Sequence, residues 1–371
     1  MTNRERLDRV FTGRSADRTP ILGGWIAAPG HIAEIAGVSI DEYWEDPVTV
    51  SIEAYRILGT DGLIDVFVPR NRSDFRCVDA NTYQRADRDI PLDECIRMID
   101  ELPPPETIEA SFDEDAAYVD YRRRLVTMQE RCGDIVYMPA QWSAGARITW
   151  YADYGYENFF MIVGLYPLQA RKLMEVGGAR GRCQSRLVAR AVKEGLVPPA
   201  VLLGEDICSQ QGPMVSPAFM EEHYAPQLAY GLEPLLAAGC KPVWHCDGDV
   251  RQILDMLLAC GVQGLQGFQP ECGMSMEYVV QKRTRAGAPL LIFGPLSVTT
   301  ELPVCSADEI YAKTSHAIEI ARGQADLVMF TANTINPDVP VQNIRAMYDA
   351  VHASGPTLPG TASATSVRSD R

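Results

Sequence analysis

The sequence predicts an α/β chain, an eight-stranded (β/α)8 barrel with a helix at its N-terminus. Three observations carry that expectation. Eight short apolar, β-compatible runs recur along the 371 residues: Pro20–Ile26, Gly62–Val68, Ile135–Gln141, Ala200–Glu205, Lys241–His245, Val262–Phe268, Pro289–Gly294 and Leu327–Thr331. Stretches of helical periodicity lie between them, and strands alternating with helices pair in parallel through right-handed crossovers. The spacing shows no second nucleotide-binding half, so eight units favour a closed cylinder over an open sheet.

Taken in order, Met1–Phe11 is charged and amphipathic, which reads as a helix and not as a secretory signal. Asp46–Leu58 is the crossover before the second strand. Arg70–Asp115 breaks the rhythm: it is polar and carries Pro103-Pro104-Pro105. It reads as a long excursion after strand 2, with room for a small hairpin, lying over the face where chemistry would occur. Helical patterns resume at Ala116–Arg131, Glu157–Glu194 (with breaks near Pro167 and Gly177), Pro217–Ala238, Val250–Cys260, Ser275–Ala286 and Ala307–Ala321, and Val341–Val351 closes the series. Residues 1–353 are therefore expected to form a single barrel domain. Residues 354–371, rich in Ser, Thr, Ala, Gly and Pro, are expected to be a disordered tail.

Composition narrows the function classes. The formal net charge of −15 disfavours nucleic acid and anionic membrane surfaces, which need clustered Lys and Arg. The one basic run, Arg122-Arg123-Arg124, falls in a helical pattern and reads as a solvated face. No apolar stretch is long enough to span a membrane. The 10 cysteines follow no framework spacing, so they read as reduced thiols of a cytoplasmic protein. A P-loop, a strand-linked GxGxxG, a GxSxG elbow and the kinase motifs are all missing.

The chemistry-bearing residues gather where strands end. The fifth run stops in Val243-Trp244-His245-Cys246-Asp247-Gly248-Asp249. Asp65 interrupts the second run, where a carboxylate either faces the barrel mouth or is a costly buried charge. Glu205 and Asp206 follow the fourth run. Gln269, Glu271 and Cys272 follow the sixth, and Asn333 and Asn336 the eighth. Five strands thus deliver polar groups to the end at which parallel α/β folds keep their sites. Other roles stay open. Glu205 or Asp206, and Asp247 or Asp249, could cap the helices that follow them. Cys272 could be a small core residue, and His245 a hydrogen-bonded structural histidine.

A metal centre would need three protein ligands and an open position. His245 and Asp247, two apart on an extended turn, could face the same way and leave Cys246 pointing elsewhere. Alternatively, His245 and Cys246 could ligate through a bend. Glu271 or Cys272 could complete either set. Trp25, Phe67, Trp142, Trp150, Tyr151 and Trp244 cluster at strand ends, where they could line an aromatic pocket or pack in the core.

Several motifs, in their order along the chain, resemble the uroporphyrinogen decarboxylase superfamily. That superfamily includes the methylcobalamin:coenzyme M methyltransferases and the corrinoid-linked O-demethylase methyltransferases. The resemblance runs over roughly residues 3–352. It is carried by Arg4-Glu5-Arg6-Leu7 with Asp17-Arg18-Thr19-Pro20, by Gly59–Asp65, by Gly204–Pro217, by His245-Cys246-Asp247-Gly248-Asp249, by Gln269–Met274, and by Ile335–Pro340 with Asn343-Ile344. It implies a TIM barrel with its site at the C-terminal mouth.

The resemblance favours the methyltransferase branch. In the true decarboxylase an arginine-rich segment after the first strand grips the porphyrinogen carboxylates. Here that place reads Gly23–Gly30 and holds no arginine. Asp65 and Tyr151 fall where that enzyme's catalytic aspartate and active-site tyrosine fall, and Asn333 stands where it has a C-terminal histidine. The methyltransferases hold zinc with a His-x-Cys pair and a distant cysteine. This chain has Asp247 at the second place and Asn333 near the third.

The resemblance therefore implies Asp65, Tyr151, Asp206 and Asn333 as catalytic residues. It implies a metal, zinc, held by a subset of His245, Cys246, Asp247, Glu271 and Cys272. The chain has no Asp-x-His-x-x-Gly, so cobalamin would ride on a separate corrinoid protein, and a homodimer is in keeping with the family. The expected reaction is methyl transfer, or demethylation of a methylated small molecule. The alternatives are a metal-free carboxy-lyase acting on a small carboxylated substrate and a non-catalytic barrel that binds a tetrapyrrole.

Overall fold

A computed structural model describes residues 1–69 and 90–361. Eight parallel strands stand close to the eight apolar runs: β1 Leu22–Gly23, β2 Gly62–Leu63, β3 Val136–Tyr137, β4 Ala200–Gly204, β5 Lys241–His245, β6 Gly264–Gln266, β7 Leu291–Leu296 and β8 Asp326–Thr331. They form a three-stranded sheet, β1-β2-β3, and a five-stranded sheet, β8-β7-β6-β5-β4. Backbone bonds link the two sheets at both edges. Ile21 bridges Met329 in parallel, with the Met329 N–H donating to Pro20 O at 2.8 Å, and the Gln141 N–H donates to Leu202 O at 2.8 Å.

Alternation along the strands divides the core. Leu22, Leu202, Val243, Leu291, Phe293, Val328 and Phe330 pack in one cluster with Leu7, Val10 and Phe11 of the N-terminal helix Asn3–Phe11. The residues between them, including Leu203, Trp244, Leu265, Ile292 and Met329, pack with the crossover helices. That is the period-two segregation expected when both faces of a parallel sheet are covered. A reciprocal Thr2/Glu5 capping box starts the N-terminal helix. It presents Leu7, Val10 and Phe11 to the strand ends, with the Phe11 ring 5.8 Å from that of Phe293.

The helical expectations hold closely for Pro47–Leu58, Glu114–Cys132, Arg251–Cys260, Ala307–Ala321 and Val341–His352. Three differ. The helix Pro167–Lys193 runs straight through Gly177. Its glycines mark close packing and not a break, since a Cβ on Gly181 would stand 2.0 Å from Gly145 O and one on Gly177 2.6 Å from Arg147 O. The segment Ser275–Ala286 is helical only over Met276–Val279, because the chain then turns through Gly287 into an Arg283–Pro289 bridge. Pro217–Ala238 contains one π-helical turn, Met220–Tyr224.

Two short helices, Pro29–Ala36 and Ile40–Glu45, occupy what read as connecting chain. Within the excursion, residues 70–89 lie outside the described residues, and with them most of the stretch in which a hairpin was expected. The rest carries helices Leu92–Asp100 and Pro105–Ser111. It docks beside the Tyr151 helix: Asn158 Nδ2 donates to Ile90 O at 2.8 Å, and Cys95 Sγ to Tyr154 O at 3.8 Å. Residues 354–361, at the start of the expected tail, lie beside the chain leading into β1 and β8, where Ala16 N–H donates to Thr357 Oγ1 at 2.7 Å. Among the described residues no helix is long and apolar enough to cross a membrane.

Candidate active site

β5 ends at His245, and the sheet register sets what surrounds that ring. Across β5–β6 the partner of His245 is Gln266, and across β4–β5 it is Gly204. Gly204 has φ 116°, and a Cβ there would lie 2.4 Å from His245 O. Gly267 has φ 86°, and a Cβ there would lie 2.6 Å from His245 Nδ1. Both positions need glycine for conformation and for space. The imidazole is thereby slotted into the strand ends, 7% exposed.

Gln266 decides how the ring is used. Its Nε2 donates to Thr331 O at 2.8 Å and to Ala332 O at 2.9 Å, which occupies both amide hydrogens. Its Oε1 therefore faces His245 Nδ1 as an acceptor, and Nδ1 must carry a hydrogen. This leaves Nε2 directed at Asp206 Oδ1, 3.3 Å away. Burial opposes charge on the imidazole. Asp206, through its charge and its hydrogen bond, outweighs that opposition with help from Asp247 and Gln266, and the pKa rises to about 9. Burial also works against ionised Asp206, but the hydrogen bond and charge of His245 keep its pKa below the usual aspartate value. Asp206 further accepts the Asp247 N–H at 2.9 Å.

Asp247 turns back toward the same point. Its Oδ2 accepts Asn333 Nδ2 at 2.6 Å, while its Oδ1 is buried with no hydrogen-bond partner among the described residues. Burial pushes this carboxyl up to about 6 against the opposing charge of His245. One ligand atom each from Asp206, His245 and Asp247 lie within 4.8 Å of one another. An orphaned buried carboxylate oxygen, a second carboxylate and an imidazole with its tautomer fixed from behind fit a divalent cation held by nitrogen and oxygen donors.

The other three candidate ligands are not brought to this group. Cys246 faces the opposite way by strand alternation. Its Sγ contacts Asp247 O at 3.1 Å, and burial, then Cys208, push its thiol well above the ordinary range. Glu271 is exposed on the turn Pro270–Cys272 and is tied to Ser297 Oγ at 2.9 Å and Thr299 Oγ1 at 2.5 Å. Cys272 is buried, with its Sγ 3.6 Å from Gln269 Oε1. Asp249, and not Asp247, serves the following helix by accepting Arg251 N–H at 3.0 Å.

Asp65 sits across the mouth at φ 59°, the left-handed region that non-glycine residues rarely adopt. Its carboxylate accepts Tyr137 Oη at 3.3 Å and Ala140 N–H at 3.2 Å, and burial raises its pKa. Tyr151 opens a short helix, Tyr151–Tyr154, with its ring against Tyr156, Phe159 and Phe160. Its hydroxyl is buried without a hydrogen-bond partner among the described residues. Burial first, then Tyr156 and the charges of Glu205 and Asp206, push it up. Glu205 is a strut for that helix and caps nothing after it. Its Oε2 accepts Ile148 N–H at 2.8 Å, Thr149 N–H at 2.5 Å and Thr149 Oγ1 at 3.0 Å, and burial raises its pKa to about 7.

Of the six aromatic candidates, Trp25, Phe67 and Trp142 line the mouth around His245, while Trp150 and Trp244 are buried in the helical layer. Gln266 and Tyr137 are the site residues that the strand-end survey passes over. Gln266 carries the same signal as Asp65, a polar residue inside an apolar run, and would be found by the same test.

No family model matches the chain, and no curated protein matches it. Among solved structures, it is similar to a methyltransferase from Methanosarcina mazei at 16% identity and a TM-score of 0.60, over 95% of this chain and 98% of that one. At that identity the likeness is one of fold, and the two chains share it from end to end.

Proposed function

We propose that the two linked sheets are one closed (β/α)8 barrel. We further propose that the protein is a methyltransferase of the uroporphyrinogen decarboxylase-like superfamily, of the corrinoid-linked branch. In this reading it moves a methyl group between a separate corrinoid protein and a small molecule at the C-terminal mouth. One observation carries the reading: Asp206, His245 and Asp247, from two strand ends, converge within 4.8 Å at the mouth. The end-to-end likeness in fold to a methyltransferase supports it.

The side chains divide the work as follows. Asp206, His245 and Asp247 would hold a divalent ion, zinc in the family resemblance. When bound, such an ion supplies Lewis acidity that favours the deprotonated form of a thiol or hydroxyl substrate. Gln266 fixes the imidazole tautomer, and Asn333 aims Asp247. The Tyr151 hydroxyl, unpartnered among the described residues, can donate a hydrogen bond, and the Asp65 carboxyl, its pKa raised by burial, can exchange a proton. The corrinoid would arrive on its own protein, drawn by the acidic surface, and a homodimer and a cytoplasmic setting complete the proposal.

The test is metal analysis of protein purified without chelator, together with methyl transfer between free cobalamin and small thiols or methylated donors followed by the cobalamin absorbance. Transfer that needs the metal and is lost in His245→Gln supports the reading. A second reading, a metal-free carboxy-lyase, draws on the strained, raised Asp65. It predicts full decarboxylase activity after chelation and none in Asp65→Asn.

A further inference from the structure

The residue that strand alternation turns away from the ligand group has a partner of its own kind. Cys246 stands between His245 and Asp247, and its thiol is hydrogen-bonded to that of Cys208. Both are free thiols, 1% and 6% exposed. Cys208 opens a small hairpin, Cys208–Ser209 against Gly212–Pro213, two residues after Asp206. The contact therefore joins the two stretches that carry the ligand group, one after β4 and one at the end of β5.

Those stretches have little slack. Asp247 N–H donates to Asp206 Oδ1 at 2.9 Å and Asp249 N–H to Ser209 O at 2.9 Å, so backbone bonds stitch them together beside the thiol pair. Gly248 lies so close to the hairpin that a Cβ there would stand 2.4 Å from Ser209 O. A disulfide needs its sulfurs about 2.0 Å apart, well inside hydrogen-bonding contact. Closing that distance pulls Cys246 Sγ off Asp247 O, which it contacts at 3.1 Å, and draws the backbone between His245 and Asp247 toward the hairpin. The imidazole resists the move, because Gln266 holds it from behind and Gly204 and Gly267 fit closely around it. The strain falls on the spacing of the three ligand atoms. Ser209, Gln210 and Gln211 form the exposed turn of the hairpin, so a small neutral oxidant reaches the pair when the hairpin opens locally. Burial holds the Cys246 thiol protonated, which makes the oxidation slow and ties it to that opening.

We propose that Cys208 and Cys246 are a redox switch on the ligand group: a hydroperoxide oxidises the two thiols to a disulfide, and the bond weakens the hold of Asp206, His245 and Asp247 on a divalent ion. One ROOH takes two electrons from the sulfurs together with the two thiol protons. The S–S bond forms, the O–O bond breaks, and ROH and water leave. The effect on the ion rests on the ligand reading above, whereas the disulfide is observable without it.

The experiment treats the metal-free full-length protein with hydrogen peroxide, removes the excess and locates disulfides by tandem mass spectrometry. The zinc affinities of the reduced and oxidised forms are then read by competition with a chromogenic chelator. The expected result is a Cys208–Cys246 disulfide, with zinc held about tenfold or more less tightly in the oxidised form and the affinity restored by reduction. Cys208→Ser and Cys208→Ala, which leave every proposed ligand in place, should match the reduced protein in zinc affinity and lose the response to peroxide. The mass-spectrometric assignment needs no variant. Absence of that disulfide after exhaustive peroxide treatment overturns the inference. A disulfide that leaves zinc affinity unchanged also overturns it, with the ligand reading intact. A reduced protein that binds no zinc overturns the ligand reading and the switch with it, a result distinct from the other two.

Discussion

Asp61 and Asp65 stand at opposite ends of β2, four residues apart in sequence, and they live in opposite electrostatic worlds. Asp61 is 0% exposed and fully answered: it accepts Arg6 Nη1 at 2.5 Å, Arg18 Nη1 at 2.7 Å, Arg18 Nη2 at 2.9 Å and Ile21 N–H at 2.8 Å. Asp17 doubles the network by taking Arg6 Nε at 2.7 Å. Among the described residues Asp65 has no cationic partner, and it has a left-handed backbone and a carboxyl raised by burial. At the N-terminal end of β2 the arginines cancel charge. At the C-terminal strand ends no described Lys or Arg pairs with Asp65 or Asp247, and Asp206 is paired with a histidine. The first arrangement holds the fold together; the second keeps groups poised for a ligand, in the manner of sites that trade stability for chemistry.

The largest expected effect tests that contrast directly. Asp61→Ala removes the buried carboxylate that answers Arg18 and Arg6 Nη1, leaving Arg6 with Asp17 as its carboxylate partner, and should cost about 3–5 kcal/mol in denaturant unfolding. Asp65→Asn should leave the unfolding midpoint unchanged or raised while abolishing turnover. If the two variants exchange behaviours, the division of labour between the ends is wrong.

The next effect concerns the ligands. His245→Gln and Asp247→Asn should each lower divalent-metal affinity by about a hundredfold or more, as read by competition with a chromogenic chelator. Cys246→Ser and Cys272→Ser should leave it unchanged. Metal loss in either cysteine variant would put thiolates back in the ligand set. Gln266→Leu should cost about 10–100-fold in the same assay, because the imidazole loses the partner that fixes its tautomer. Gln266→Glu, which keeps an acceptor for Nδ1–H, should recover part of it.

The smallest effect is a difference of sign with pH. Asp17 is held down to about 2 by the Arg6 hydrogen bond, so its contribution to stability is present above the ordinary aspartate value of 3.8 and is lost as pH falls toward 2. Asp17 is 41% exposed, so salt will shrink this contribution. Asp65 is raised, so it destabilises the fold above its folded pKa, and that penalty fades as pH falls to 3.8. Thermal melts across this acid range should show Asp17→Asn losing its deficit as pH falls and Asp65→Asn losing its advantage. A deficit or advantage that does not change with pH would mean that neither shift is coupled to folding.

Much of this was legible in one dimension. The strand runs were visible because each apolar stretch ends in a turn, and the ends of β2, β4, β5 and β8 supplied Asp65, Asp206, His245, Asp247 and Asn333. Gly177 misled because a glycine that lets helices touch has the same letter as one that ends a helix. Gln266 is visible as a polar residue inside an apolar run, but its role is not, because that role is its register opposite His245, a relation between residues 21 apart in sequence.

By itself the sequence determined the order of strands and helices, the acidic balance and the kinds of group delivered to each strand end. All of these are set by local periodicity and composition. Only the tertiary structure decided which of those groups meet. Strand alternation turned Cys246 away while Asp247 came back toward His245, and cross-strand pairing set Gln266 behind the ring. Two ends of one strand received opposite electrostatic treatment because arginines from the first 18 residues reached one end and none of the described ones pairs at the other. Such encounters depend on register and on segments distant along the chain, and a linear reading has no term for either.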